Sequence, residues 1–243
     1  MKNIVLLLVS IVFVKIASAQ EWDPASTEWY HPVPPVVLPG TLPGQPPSDA
    51  VVLFDGTSLS KWKSKDGTAP KWQINNGELV IVPGAGHIYT HDYFGDCQIH
   101  VEFKIPESTE NGSKRSPGNS GVHIQDKYEI QILDNDDDIF INGMVGSVYK
   151  QAAPLVNAYT NRGEWQSLDI YWTAPKFGTG GVFESPAVIT VVMNGVVIHN
   201  HYVLKGNTPS RGLPDYQAHG RLPLRLSEHG DVVSYRNIWI RNL

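Results

Sequence analysis

The stretch Cys97 to Ile105, CQIHVEFKI, alternates without a break: Ile99, Val101, Phe103 and Ile105 share one face, and Gln98, His100, Glu102 and Lys104 the other. Successive side chains of a strand point to opposite faces, so this is the pattern of a half-buried β-strand. The same period recurs along the chain. VITVVMNGVVIHNHYVL reads as a hairpin, with Asn194-Gly195 supplying the two positive-φ positions of a type I′ turn. VVSYRNIWIRNL closes the chain as a last strand, and further strands are expected at 51–54, 72–82, 87–91, 165–172 and 222–227. Helical periodicity is nearly absent; Gln151 to Tyr159 is the one place for a turn or short helix. Many short strands divided by Gly, Asn and Pro predict an all-β fold, an antiparallel sandwich or jelly roll of two sheets. One outer face of such a sandwich can curve into a concave groove. The 22 glycines suit its bends, and the seven tryptophans are read first as core and second as sugar platforms.

The N-terminus reads as an export signal. Lys2 precedes an apolar run from Ile4 to Val14, and Ala17-Ser18-Ala19 places small residues where a signal peptidase reads, so residues 1–19 are expected to be removed. A spanning helix needs about 20 apolar residues, and Lys15 interrupts this run. The 224 residues left carry a formal charge of −7 instead of −5, because Lys2 and Lys15 leave with the signal. That mild acidity argues against nucleic acid, no later stretch is long and apolar enough to span a membrane, and a secreted or periplasmic protein is expected. Cys97 is the only cysteine, which excludes an intrachain disulfide and a cysteine-based zinc cluster. At the head of an alternating strand it reads as a small buried hydrophobe.

Residues 31–47, HPVPPVVLPGTLPGQPP, hold seven prolines and favour extended geometry, so 20–48 is expected to be a semi-rigid N-terminal segment and 49–243 one globular domain.

Chemistry concentrates in GVHIQDKYEIQILDNDDD, residues 121–138. Alternation sets His123 and Gln125 against Val122 and Ile124, and Glu129 and Gln131 against Tyr128, Ile130 and Ile132. Such groups are costly to bury unsatisfied, so this face is either open to solvent or the floor of a polar cleft. The acidic end resembles a calcium loop but has Ile139 where the sharp turn needs glycine and Val145 where a bidentate Glu is required, and is read as a solvated tip. His199 and His201 form an i, i+2 pair without a clear third ligand. No cofactor is expected, and a divalent metal is left open. Glu129-x-Gln131-x-x-Asp134 echoes the E-x-D-x-x-E strand of retaining glucanases, but Gln replaces the middle acid and five residues of regular strand put Glu129 and Asp134 on opposite faces.

Six motifs together resemble a known family. LFDGTSLSKW (53–62), WQINNGELVI (72–81), GNSGVHIQ followed by YEIQILD, GEWQSLDIYW (163–172), MNGVVI (193–198) and EHGDVVSYRNIWIRNL (228–243) stand in the order found in the 3-keto-disaccharide hydrolase domain family. The resemblance runs from about residue 50 to the C-terminus. It implies a concanavalin A-like jelly roll with a concave sugar-facing side, and an oligosaccharide or glycoside substrate already oxidised at C3. A C3 ketone acidifies the C2 proton, so a base can form an enolate that expels the C1 aglycone, by β-elimination or net hydrolysis.

That chemistry needs a base, an acid and donors for the enolate oxygen. On the family's Y-E-x-Q strand, Glu129 is the implied carboxylate and Gln131 a hydroxyl ligand. His229 matches the family's D/E-H-G and is the implied proton-transfer group, since histidine titrates nearest neutral pH. Arg236 is implied to orient Glu129 or bind the ketone, and His123 and Tyr149 are further cleft residues. Family members commonly read Leu-Gln-Asp-His-Gly where this chain has Leu226-Ser227-Glu228-His229-Gly230. Two alternatives stay open on the residues alone: a non-catalytic carbohydrate-binding module and an ordinary retaining glycosidase.

Overall fold

A computed structural model describes residues 22–107, 117–134 and 140–243. The expected signal segment, residues 108–116 and most of the DNDDD tip therefore lie outside the described residues. The chain divides into Met1–Val36 and Val37–Leu243. In the first unit a 3₁₀ turn, Pro24–Thr27, is capped by the Asp23 side chain. The second unit begins within the proline-rich run. The Gly44 carbonyl accepts hydrogen bonds from Asn237 Nδ2 and Trp239 Nε1, both at 2.8 Å, and Asp49 pairs with Arg241 at 2.7 Å.

The strands in chain order are β1 (Val51–Phe54), β2 (Trp62–Ser64), β3 (Gln73–Asn75), β4 (Glu78–Val80) and β5 (Ile88–Phe94). There follow β6 (Cys97–Lys104), β7 (Ser120–Ile124), β8 (Tyr128–Ile132), β9 (Gln166–Thr173) and β10 (Lys176–Phe177). The last are β11 (Phe183–Ser185), β12 (Val188–Met193), β13 (Val196–Val203), β14 (Leu222–Leu226) and β15 (Ser234–Asn242). An eight-stranded sheet runs β13-β12-β9-β6-β15-β4-β3, with β1 also on β15, and a five-stranded sheet runs β2-β5-β14-β7-β8. All pairings are antiparallel. The fold is the expected jelly-roll sandwich. Among the described residues no helix is long and apolar enough to cross a membrane.

Alternation builds the core as the sequence suggests. Ile99, Val101 and Phe103 of β6 are fully buried against Val122, Ile124, Ile130 and Ile132 of β7 and β8 in one apolar cluster, each contributing about 1.5–3 kcal/mol by leaving water. Trp62, Trp72, Trp172 and Trp239 are buried, and each indole N–H finds an acceptor. Cys97 is buried, and desolvation pushes its thiol up to about 12.

Asn194 and Gly195 both take positive φ and close β12 onto β13, as expected. The expected single strand 72–82 is instead the hairpin β3-β4, because Asn76 and Gly77 also take positive φ, 51° and 80°. A third tight turn has no glycine: Gln125 and Asp126, at φ 49° and 54°, close β7 onto β8. Gln151 to Tyr159 forms turns and coil, not a helix.

Candidate active site

The β7-β8 hairpin sets the site's floor. His123 pairs directly with Glu129 across the two strands, and Gly121 pairs with Gln131. Every residue of both strands is buried: the apolar side chains face the core, while His123, Glu129 and Gln131, at 6%, 6% and 4% exposure, face a cavity of about 490 Å³. The polar face is a cleft, not a solvated surface. Gln125 does not join it. The tight turn carries its amide to the Phe94 carbonyl and the Trp172 indole, away from the cavity.

β14 lies beside β7 with Arg225 opposite His123, so Arg225, His123 and Glu129 form one rung across three strands. An Arg225 terminal nitrogen stands 2.6 Å from His123 Nδ1. Arginine only donates, so Nδ1 accepts and the ring proton sits on Nε2, facing Glu129 Oε1 at 3.3 Å. Asp126 holds Arg225 Nε at 2.9 Å from the far side. Burial lowers the pKa of His123 and outweighs the opposing pull of Glu129, with Arg225 adding to the lowering. A neutral His123 thus presents N–H to Glu129. Gly121 makes room for that carboxylate: a Cβ there would come 2.3 Å from Glu129 Oε1.

Gln131 Nε2 donates to Asn119 Oδ1 at 3.0 Å and to the Ser120 and Ile132 carbonyls at 3.1 and 2.9 Å. Its amide nitrogen is committed, so its carbonyl oxygen is the atom left to accept from a ligand. The outer edge of β8 is covered by the 144–152 segment, and Tyr149 N–H donates to the Glu129 carbonyl at 3.1 Å, which brings Tyr149 into the wall. Burial, then the Glu129 charge, raises the Tyr149 phenol pKa, keeping it a donor at neutral pH. Thr208 Oγ1 accepts from Glu129 N–H at 2.9 Å.

His229 stands exposed on the turn after β14 and completes the cavity lining with His87, its ring 5.6 Å from that of His87. The turn is held by Glu228, whose carboxylate accepts from Gly230, Gly84 and Gly86 N–H at 2.6, 3.1 and 3.3 Å.

The cavity therefore gathers five of the six residues named from the sequence: Glu129, His229, Gln131, His123 and Tyr149. Arg236 is the correction. It lies on β15 in the eight-stranded sheet, stacks on the Trp165 ring at 4.1 Å and pairs with Glu102 at 2.5 Å. Its motif, YRNI, sits on the wrong sheet to reach Glu129. Arg225 is the arginine at the site, and sequence reasoning passed over it, as over His87 and Asn119. One signal was available: in LPLRL the alternation turns Arg225 away from Leu222, Leu224 and Leu226. Asp134 pairs with Arg162 and is absent from the cavity lining, where Glu129 is the sole carboxylate among the described residues. His199 Nε2 donates to the Gly146 carbonyl at 2.8 Å within the fold, and among the described residues no group of three or more His, Cys, Asp or Glu side chains is arranged to hold a metal ion.

Residues 49–241 match the family described as the 3-keto-alpha-glucoside-1,2-lyase-like domain. A crystal structure of a candidate glycosyl hydrolase from Parabacteroides distasonis shares 43% identity, with a TM-score of 0.85, over 91% of this chain and 97% of that one. A second structure from the same organism, also of a candidate glycosyl hydrolase, has 21% identity and a TM-score of 0.61 over 80% and 94% of the two chains, and supports the fold alone. No curated protein matches the chain significantly.

Proposed function

From the premise that the chain belongs to the 3-keto-alpha-glucoside-1,2-lyase-like domain family, we propose that it is an exported carbohydrate-active enzyme that cleaves 3-keto-glycosides. A carbohydrate-active role follows from the family. The observation that carries the proposal is the cavity's inventory: one carboxylate, three imidazoles and an arginine, among the described residues. Retaining and inverting glycosidases place two carboxyls across the scissile bond, and this lining supplies one. A single base suffices when a C3 ketone has already acidified the C2 proton.

Glu129, steered by neutral His123, takes the C2 proton. Electrons move into an enolate on C3 oxygen, the C1–oxygen bond breaks, and His229 on the exposed rim gives a proton to the departing aglycone. The product is a 2-hydroxyglycal ketone, and addition of water across it gives the free 3-keto-sugar. Arg225 holds His123 in the tautomer that faces Glu129, and the Gln131 carbonyl accepts from a sugar hydroxyl. Proton NMR of a 3-keto-glucoside incubated with the enzyme in D₂O tests the order of events. A glycal intermediate, or C2 deuterium in the hydrolysed sugar, is expected. Hydrolysis that keeps protium at C2 would exclude elimination.

A further inference from the structure

The proposed mechanism leaves one cavity imidazole without a task. His87 stands just before β5, in no family motif, and shares the cavity with Glu129 and His229. Its Nδ1 accepts a hydrogen bond from the Glu228 backbone N–H at 2.9 Å. A backbone amide can only donate, so the ring proton belongs on Nε2, the one donor His87 has for a ligand. The same Glu228 that anchors Nδ1 through its amide also ties down Gly84 and Gly86, on the approach to His87, through its carboxylate. The tautomer is thus set by backbone, and the ring is placed by a clamp reaching from the His229 turn.

The charged and titratable groups around His87 act together. Burial, then Arg225, His229 and His123, disfavours a cation on this ring and brings it down to about 4; the opposing carboxylate of Glu228 does not offset them. At neutral pH His87 is a neutral N–H donor in a cavity where the other strong donor, Arg225, is already committed to His123 and Asp126.

We infer that His87 donates its Nε2–H to the C3 oxygen of the substrate, where charge develops as the enolate forms; this rests on the elimination chemistry proposed above. A neutral imidazole suits the task because a donor fixed in place before reaction stabilises the developing oxyanion without reorganising. It also does not lend the enolate a proton it must recover before the aglycone can leave.

His87→Gln keeps a nitrogen donor near the Nε2 position, whereas His87→Asn reaches only the inner position, where an acceptor for the Glu228 N–H is needed. With a 3-keto-glucoside of a chromogenic aglycone, His87→Asn is expected to lose about 10²–10³-fold in kcat with little change in KM, as when one oxyanion donor is removed, and His87→Gln to recover most of that loss. Nitrogen NMR of the wild-type protein is expected to find the His87 ring as the neutral Nε2–H tautomer at neutral pH. Equal activity of wild type and His87→Asn, or a cationic His87 ring, would overturn the inference and leave the elimination reading standing. No turnover of any keto-glycoside by wild type would overturn both. Thermal denaturation of the two variants separates misfolding from chemistry: if His87→Asn melts with wild type and still loses kcat, the loss is not structural.

Discussion

His123 Nε2 lies 3.3 Å from Glu129 Oε1 across a directly paired position of β7 and β8, and Arg225 closes on the opposite ring nitrogen at 2.6 Å. The rung joins three adjacent strands, so the geometry of the base is written into sheet register and not into a loop. A one-residue slip of any one strand would turn its member of the rung into the core and break the set.

Gly121→Ala tests how closely that carboxylate is placed. The new Cβ would stand 2.3 Å from Oε1 and 3.0 Å from Cγ, so the end of the Glu129 side chain must move. Stability is expected to change by less than about 1 kcal/mol, since the loss of glycine freedom in the unfolded chain offsets the contact. Turnover is expected to fall about 10²-fold, the scale of an ångström of misplacement. Urea unfolding and steady-state kinetics on the same preparation read the two effects separately.

The two arginines should part company. Arg225→Lys loses the fork that holds His123 and is expected to cut kcat/KM by about tenfold to a hundredfold, the worth of a charge-assisted hydrogen bond. Arg236→Ala removes an exposed pair with Glu102 and a stack on Trp165, with turnover unchanged and about 1 kcal/mol or less of stability lost. Kinetics of both variants decide it; a larger loss from Arg236→Ala would return that residue to the site.

Much of the fold was legible because period-2 alternation and the Asn-Gly turns act locally. The β3-β4 hairpin interrupts the strand expected at 72–82 because Asn76-Gly77 carries the same turn signal as Asn194-Gly195. The Gln125-Asp126 turn had no such signal, and it reverses where Gln125 points. At the site, Glu129, Gln131 and His123 could be found because they belong to one hairpin. Which arginine reaches them depends on β14, not β15, lying next to β7, a sheet order that no local pattern encodes. His87 was hidden for the same reason: its anchor, Glu228, is 141 residues away.

The eight-stranded sheet carries a pH-sensitive pair of its own. His100 Nδ1 meets Asp169 at 2.7 Å, and although burial works to lower it, the hydrogen bond to Asp169 and then that to Glu102 raise the imidazole to about 9. A folded value above the usual ~6.5 stabilises fully below that pH and fades as pH rises through about 9. The stability difference between wild type and His100→Gln is therefore expected to be greatest near pH 6, on the order of 1–3 kcal/mol, and to shrink in alkali. Denaturant midpoints across this range check it, and a difference that grows with pH would contradict it.

The most direct test of the central claim uses two glucosides with the same chromogenic aglycone, one oxidised at C3 and one not. Rapid release is expected from the 3-keto-glucoside, none from its unoxidised counterpart, and a loss of about 10²–10⁴-fold in Glu129→Gln, the range for removal of a general base. Equal release from both glucosides, or release from the keto-glucoside that Glu129→Gln leaves untouched, would contradict it.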